Sequence, residues 1–125
     1  MNTTPPEVNR TTYNAVVGRL LASYRETQGL EQAELAERLH MSQPSWSRIE
    51  RGETNVTMEV LAKAALALNT SPGEIVDKTE QAKQGLEKLG IEVLLERPNK
   101  TSGEVVLALL AGAALGFLIA KVLSK

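Results

Sequence analysis

Apolar residues recur with the spacing of an α-helix through residues 12–77 of the chain. Between about Tyr13 and Thr27 they fall three or four positions apart, as they would along one face of a helix. Gly29 follows this run and is suited to the left-handed conformation that often ends a helix. The pattern predicts a first helix over this segment. Its apolar face consists of Val16, Val17, Leu20, Leu21 and Tyr24.

Four more helices are predicted from residues that favour helix starts. A second helix begins near Gln32, and a third follows Ser42, whose side chain suits the N-cap position. Pro44 falls in the first turn of the third helix, where a missing N–H removes no intrahelical bond. Thr57 caps a fourth helix, and residues 71–74 (Ser-Pro-Gly-Glu) start a fifth. We therefore expect an all-α fold.

Composition divides the chain into four segments. Residues 1–11 are polar, contain a Pro pair and are interpreted as a flexible arm. Residues 12–77 hold the five predicted helices and are expected to fold alone. Residues 78–103 are more polar and are predicted to form a linker, in which the apolar run from Ile91 to Leu95 would allow a short strand. Residues 104–124 are predicted to form a hydrophobic helix.

The second and third predicted helices are separated by only the short turn from His40 to Ser42. Such a turn between two short helices is typical of a helix-turn-helix, in which the second helix enters the major groove of DNA. On a helical wheel of the third helix, Ser42, Trp46 and Ile49 fall on the side expected to face the core. The opposite side carries Gln43, Pro44, Ser47, Arg48 and Arg51.

The segment from Gly29 to Val76 resembles the Cro and phage-repressor helix-turn-helix family, also called the xenobiotic-response-element family. The similarity lies in residues 32–36 (Gln-Ala-Glu-Leu-Ala), 42–43 (Ser-Gln) and 47–52 (Ser-Arg-Ile-Glu-Arg-Gly). It continues through Leu61, Ala65, Leu68 and residues 71–75. The resemblance implies a five-helix, lambda-repressor-like domain that binds double-stranded DNA.

The side chains expected to contact bases lie on the third helix. The resemblance implies that Gln43, Pro44 and Arg48 face base edges, and Ser47 falls on the same side of the wheel. Glutamine can bond adenine in a bidentate manner and arginine can bond guanine in the same way. Pro44 has no donor, so it would offer only an apolar contact, such as one to a thymine methyl group.

Two further positions are expected to lie beside the DNA backbone. The resemblance implies that Gln32 contacts a phosphate and that Arg51 lies near the backbone. Glu31 stands where the family often has a short capping residue, and Glu53 places an acid in a loop that is often basic. Residues 1–77 contain seven Lys and Arg against ten Asp and Glu, so non-specific affinity for DNA is expected to be modest.

The inventory of reactive residues argues against catalysis. The chain has no Cys, one His (His40) and one Asp (Asp77), which leaves no catalytic triad or metal cluster to assemble. No Gly-rich phosphate-binding loop precedes a helix. We therefore expect no enzyme activity, no metal and no cofactor. His40 and Trp46 are assigned structural roles.

The C-terminal segment is apolar on all sides. No charge occurs from Val105 to Ala120, and the run reaches 19 residues at Leu123 if Lys121 extends its amine toward the interface. Gly112 and Gly116 form a GxxxG element, which allows close helix packing in a bilayer. We expect a membrane-spanning helix here. The alternative is a soluble helix buried in an oligomer.

These features together predict a transcriptional regulator. We expect a sequence-specific repressor that binds DNA as a homodimer. Its DNA-binding domain would lie in the cytoplasm, with the C-terminal helix in the inner membrane, an orientation that Arg97 and Lys100 favour. A wholly soluble cytoplasmic protein is the alternative location. The alternative function is a membrane-associated protein-interaction module, or an antitoxin-type component, that uses the same fold.

Overall fold

The computed structural model describes residues 9–98 and 110–124, which contain six helices and two short strands. In chain order the elements are β1 (Arg10–Thr12), α1 (Tyr13–Thr27), α2 (Gln32–Arg38), α3 (Gln43–Glu50), α4 (Met58–Ala67), α5 (Pro72–Lys88), β2 (Glu92–Leu94) and α6 (Gly112–Leu123). The mostly helical architecture confirms the all-α prediction, and the five predicted helices correspond to α1 to α5.

Short polar side chains begin four of these helices by accepting a hydrogen bond from a backbone N–H in the first turn. The Oγ atom of Ser42 accepts from the N–H of Ser45 at 3.2 Å at the start of α3. Thr12, Thr57 and Ser71 do the same for α1, α4 and α5. Each bond satisfies one of the donors that a helix N-terminus leaves free, so the local sequence fixes where these helices start.

A first core cluster contains buried residues of all five helices from α1 through α5. Trp46 and Leu35 are fully buried at its centre, so Trp46 has the core position that the wheel predicted. Gly29, with a φ of 72°, follows α1 in the left-handed region as expected. The buried members of the cluster are Val17, Leu21, Leu35, Ala36, Leu39, Trp46, Ile49, Leu61, Ala64, Ala65, Leu68 and Ile75.

The structure departs from the predicted segments at both ends of this domain. Helix α5 continues through residue 77 to Lys88, because the buried residues Thr79, Ala82 and Leu86 extend its apolar face with helical spacing. At the other end, residues 10–12 form β1, which pairs in parallel with β2. The described part of the predicted linker, residues 78–98, and part of the predicted arm therefore belong to the fold.

Helix α6 packs against α1 and α5 and completes a second core cluster. Leu115 and Ile119 are its buried residues. They pack with residues of α1, α5 and the β2 region, namely Ala15, Val16, Leu20, Ala82, Leu86, Ile91 and Val93. Gly85 allows α5 and α6 to approach closely, since a Cβ atom there would lie 2.6 Å from the Cβ of Val122. Residues of α1, α5 and the β2 region thus cover one side of α6. No partner for this helix within the chain was predicted from the sequence.

The other side of α6 is exposed, and Phe117 retains 70% of its surface. The two glycines of the GxxxG element differ in position. Gly112 starts α6 with a φ of 64°, whereas Gly116 lies against the guanidinium of Arg19. No helix within residues 9–98 and 110–124 is long and apolar enough to cross a membrane. The first part of the predicted span, residues 104–109, lies outside the described residues.

Candidate nucleic-acid interface

Helices α2 and α3 form the predicted helix-turn-helix. The turn between them is closed by backbone bonds from the N–H of Met41 to the carbonyl of Ala36 at 2.9 Å and from that of His40 to Glu37 at 3.1 Å. His40 has a φ of 57°, a left-handed conformation that reverses the chain within this turn. The turn therefore holds α3 at a fixed angle to α2.

The carboxylate of Glu50, buried to 2% exposure of its side chain, joins three helices. It accepts bonds from Nε of Arg25 at 2.6 Å and from Nη2 at 3.0 Å. Trp46 Nε1 donates to it at 2.5 Å, and Gln32 Nε2 donates at 2.7 Å. The bond to Glu50 raises the pKa of Arg25 above its ordinary value. Glu50 thereby fixes α3 against α1 and α2.

Gln32 and Gln43 connect this buried network to the exposed end of α3. Gln43 Nε2 donates to Gln32 Oε1 at 2.8 Å, while the amide nitrogen of Gln32 is held by Glu50. The side chain of Gln32 is thus committed to orienting Gln43. The phosphate contact predicted for Gln32 would have to share this side chain, because a capping box of Glu31 and Glu34 engages backbone N–H groups at the start of α2.

The predicted base-contacting residues do not all share one surface. Gln43, Pro44 and Arg48 are exposed along α3. Ser47 is buried to 8% exposure, and its hydroxyl accepts a bond from Nη1 of Arg51. Ser47 lies at the edge of the polar side of α3, and the long side chain of Arg51 covers it. The structure therefore brings three of the four predicted residues to one exposed face.

Comparison with known proteins agrees with this geometry. A family model for a helix-turn-helix domain matches residues 16–77. A crystal structure of the clp gene regulator ClgR from C. glutamicum is 31% identical, covers 54% of this chain and 88% of its own, and has a TM-score of 0.52. A second structure of ClgR, from Corynebacterium glutamicum, is 28% identical, covers 62% and 86%, and has a TM-score of 0.57. A search of curated proteins finds no match.

The chain belongs to the helix-turn-helix domain family. Within this helix-turn-helix domain, the loop after α3 carries a cluster of charges that the sequence revealed only in part. Arg51 Nε lies 3.0 Å from Glu53 Oε2, and its Nη2 donates to Oε1 at 3.2 Å. The hydrogen bond from Arg51 lowers the pKa of Glu53 below its ordinary value, and the charges of Arg51, Arg97 and Arg48 lower it further. Glu53 therefore stays ionised, and the guanidinium of Arg51 compensates its charge.

The sequence patterns did not predict that Arg25, Glu50 and Arg97 support α3 and the loop that follows it. Arg25 and Glu50 lie 25 positions apart, and neither carries a local signal of burial. Arg97 was assigned to a linker, yet its Nη1 donates to the carbonyl of Gly52 at 2.9 Å, beside the exit of α3. The one signal in the sequence was the charge of Arg25. An arginine among buried apolar positions needs an acidic partner.

Proposed function

We propose that this protein is a sequence-specific, DNA-binding transcriptional regulator that inserts α3 into the major groove. The observation that carries the proposal is the exposed face of Gln43, Pro44 and Arg48 on a helix whose other side is fixed by Trp46 and Glu50. A rigid helix with free polar groups loses little conformational entropy when it binds bases. Membership of the helix-turn-helix family, and similarity to the structures of a gene regulator, support this function.

Each exposed side chain has a distinct role in this proposal. The bond from Gln43 to Gln32 aligns the amide of Gln43 for a base such as adenine. Arg48 supplies a bidentate donor for guanine, and Pro44 an apolar contact for a thymine methyl group. Gln32, at the start of α2, is the residue proposed to lie beside a phosphate. Base recognition and backbone positioning are then separate parts of one surface.

Repression is the expected regulatory effect. A domain that occupies the major groove at a promoter competes with the polymerase for the same DNA, so binding alone is enough to lower transcription. We propose no catalytic activity for this surface, and the domain would act in the cytoplasm, where it meets DNA. Homodimers are proposed because one α3 covers few base pairs, whereas a two-fold pair matches half-sites about one helical turn apart.

The proposal treats α6 as part of the folded domain. Leu115 and Ile119 pack in the second core cluster, and both would have to leave it if this helix entered a bilayer. The membrane tether over residues 104–124 therefore stays a prediction that would require undocking of α6. Its oligomerisation alternative is favoured by the exposed Phe117, which a second copy of α6 could cover.

Selection of bound sequences from a random duplex pool tests the proposed function. Full-length protein is expected to enrich one motif, and footprinting should show protected major-groove edges within it. Arg38, exposed at the end of α2, provides a matched control, so Arg38→Ala should enrich the same motif as the wild type. Enrichment of no motif by the full-length protein would refute the proposal.

A further inference from the structure

The segment after β2 reaches the loop that follows α3. Arg97 donates from Nη1 to the carbonyl of Gly52 at 2.9 Å, although 45 positions separate these residues. Gly52 has a φ of 74° and lies so close to α1 that a Cβ atom would come within 2.6 Å of the Cβ of Ala15. The loop is therefore fixed on one side by α1 and on the other by Arg97.

The position of Arg97 is set by the small parallel sheet. Val93, in β2, is buried in the second core cluster and is in register with Thr11 of β1. Thr11 is also fully buried. Only two residues separate Leu94, at the end of β2, from Arg97 in the chain. The sheet therefore fixes the point from which the arginine extends, while its side chain remains exposed.

Three arginines lie around Glu53, beside Gly52. Both oxygens of Glu53 are engaged by Arg51. Arg48 and Arg97 act on Glu53 through their charge. A guanidinium has five N–H donors, of which Arg97 gives one to Gly52 among the described residues. Arg97 can therefore hold the loop and still bond an anion.

Helix length places this cluster near the DNA backbone in the proposed complex. Helix α3 has eight residues, which corresponds to about 12 Å at 1.5 Å per residue. The major groove is about 12 Å wide. If Gln43 and Pro44, at the start of α3, contact bases, the far end of the helix and the following loop lie at the wall of the groove. That wall is formed by phosphates.

We propose that Arg97 is a DNA-phosphate contact, contributed to the binding surface by a segment outside the helix-turn-helix itself. This inference rests on the proposed function, since it assumes that α3 occupies the major groove. Arg97 acts as a cation and as a support for the loop at Gly52. A phosphate contact adds affinity equally on all sequences, because the phosphate carries no base information.

The test measures DNA affinity of the full chain as a function of salt. Arg97→Gln keeps a donor for Gly52 but removes the charge, and Arg97→Lys keeps the charge. Lys88→Gln, an exposed cation at the end of α5, is the matched control. The selected motif and a random duplex serve as probes, and circular dichroism melts check that each variant folds.

Arg97→Gln is expected to reduce the slope of log K against log salt by about one, with equal fold-losses on both duplexes. Arg97→Lys and Lys88→Gln should keep the wild-type slope. An unchanged slope in Arg97→Gln, or an equal loss of slope in Arg97→Lys, would overturn the assignment. Failure of the proposed function itself would appear separately, as wild-type protein that does not distinguish the two duplexes.

Discussion

The two core clusters of this molecule differ in how they are specified. The first cluster contains buried residues of all five helices from α1 through α5. Local signals, such as the N-caps Ser42, Thr57 and Ser71, predict where these helices begin. The second joins the start of the chain to β2 and α6, across sequence separations of about eighty to a hundred residues. Local patterns indicated the strand within Ile91 to Leu95 and the hydrophobic C-terminal helix, but they did not indicate that these elements pack against α1. The comparison shows that the boundary at residue 77, where the family model ends, does not limit the folded unit.

Truncation after residue 77 tests whether the second cluster stabilises the first, and it should have the largest effect on stability. Val16 is fully buried and Leu20 is 3% exposed, and both pack against residues that the truncation removes. At about 1.5–3 kcal/mol for each side chain, we expect the 1–77 fragment to lose roughly 3–6 kcal/mol of its free energy of unfolding. Urea unfolding of the fragment and the full chain measures the difference. Equal midpoints would mean that the second cluster does not stabilise the first.

Replacement of Glu50 tests the link between the first cluster and α3. Glu50→Ala leaves the Arg25 guanidinium buried without its partner, which is expected to cost about 3–5 kcal/mol of stability. Glu53→Ala removes an exposed acid of the same helix exit and should cost at most about 1 kcal/mol. Urea unfolding at neutral pH compares the two variants, and similar losses would contradict the burial of the Glu50 pair.

Leu115→Ala tests whether α6 is a true part of the second cluster. Leu115 is fully buried, so its truncation should cost about 2–5 kcal/mol. Phe117 lies on the same helix at 70% exposure, and Phe117→Ala should change stability little in the monomer. Thermal melts of both variants at low protein concentration provide the measurement. A larger loss for Phe117→Ala would show that α6 is held by its other face, as in an oligomer.

Sequence patterns correctly predicted the positions along α3 that depend only on neighbouring residues. It placed α3, buried Trp46 and exposed Gln43 and Arg48, because helical spacing alone decides these positions. It placed Ser47 on the exposed face, where the flexible side chain of Arg51 in fact covers it. Such coverage depends on rotamers, which periodicity does not contain.

The pairing of the two strands could not be predicted for a different reason. The apolar run from Ile91 to Leu95 indicated a short strand, and β2 lies within it, but nothing in residues 10–12 indicated β1. Each strand has three residues and their partners lie about eighty positions apart, so no local pattern specifies the pair. Arg97 depends on this pairing for its place beside Gly52. A side chain positioned by tertiary contacts can be predicted from sequence only when the contacts themselves are predicted.

The central claim is that the exposed face of α3 recognises bases, and Arg48→Ala tests it most directly. The variant and the wild type are titrated, in full-length form, with the selected duplex and with a random duplex at one salt concentration. We expect a loss of about 1–3 kcal/mol on the selected duplex and a much smaller loss on the random one, because a base contact forms only on the correct sequence. Equal losses on the two duplexes would show that Arg48 contacts only the backbone and would contradict the account.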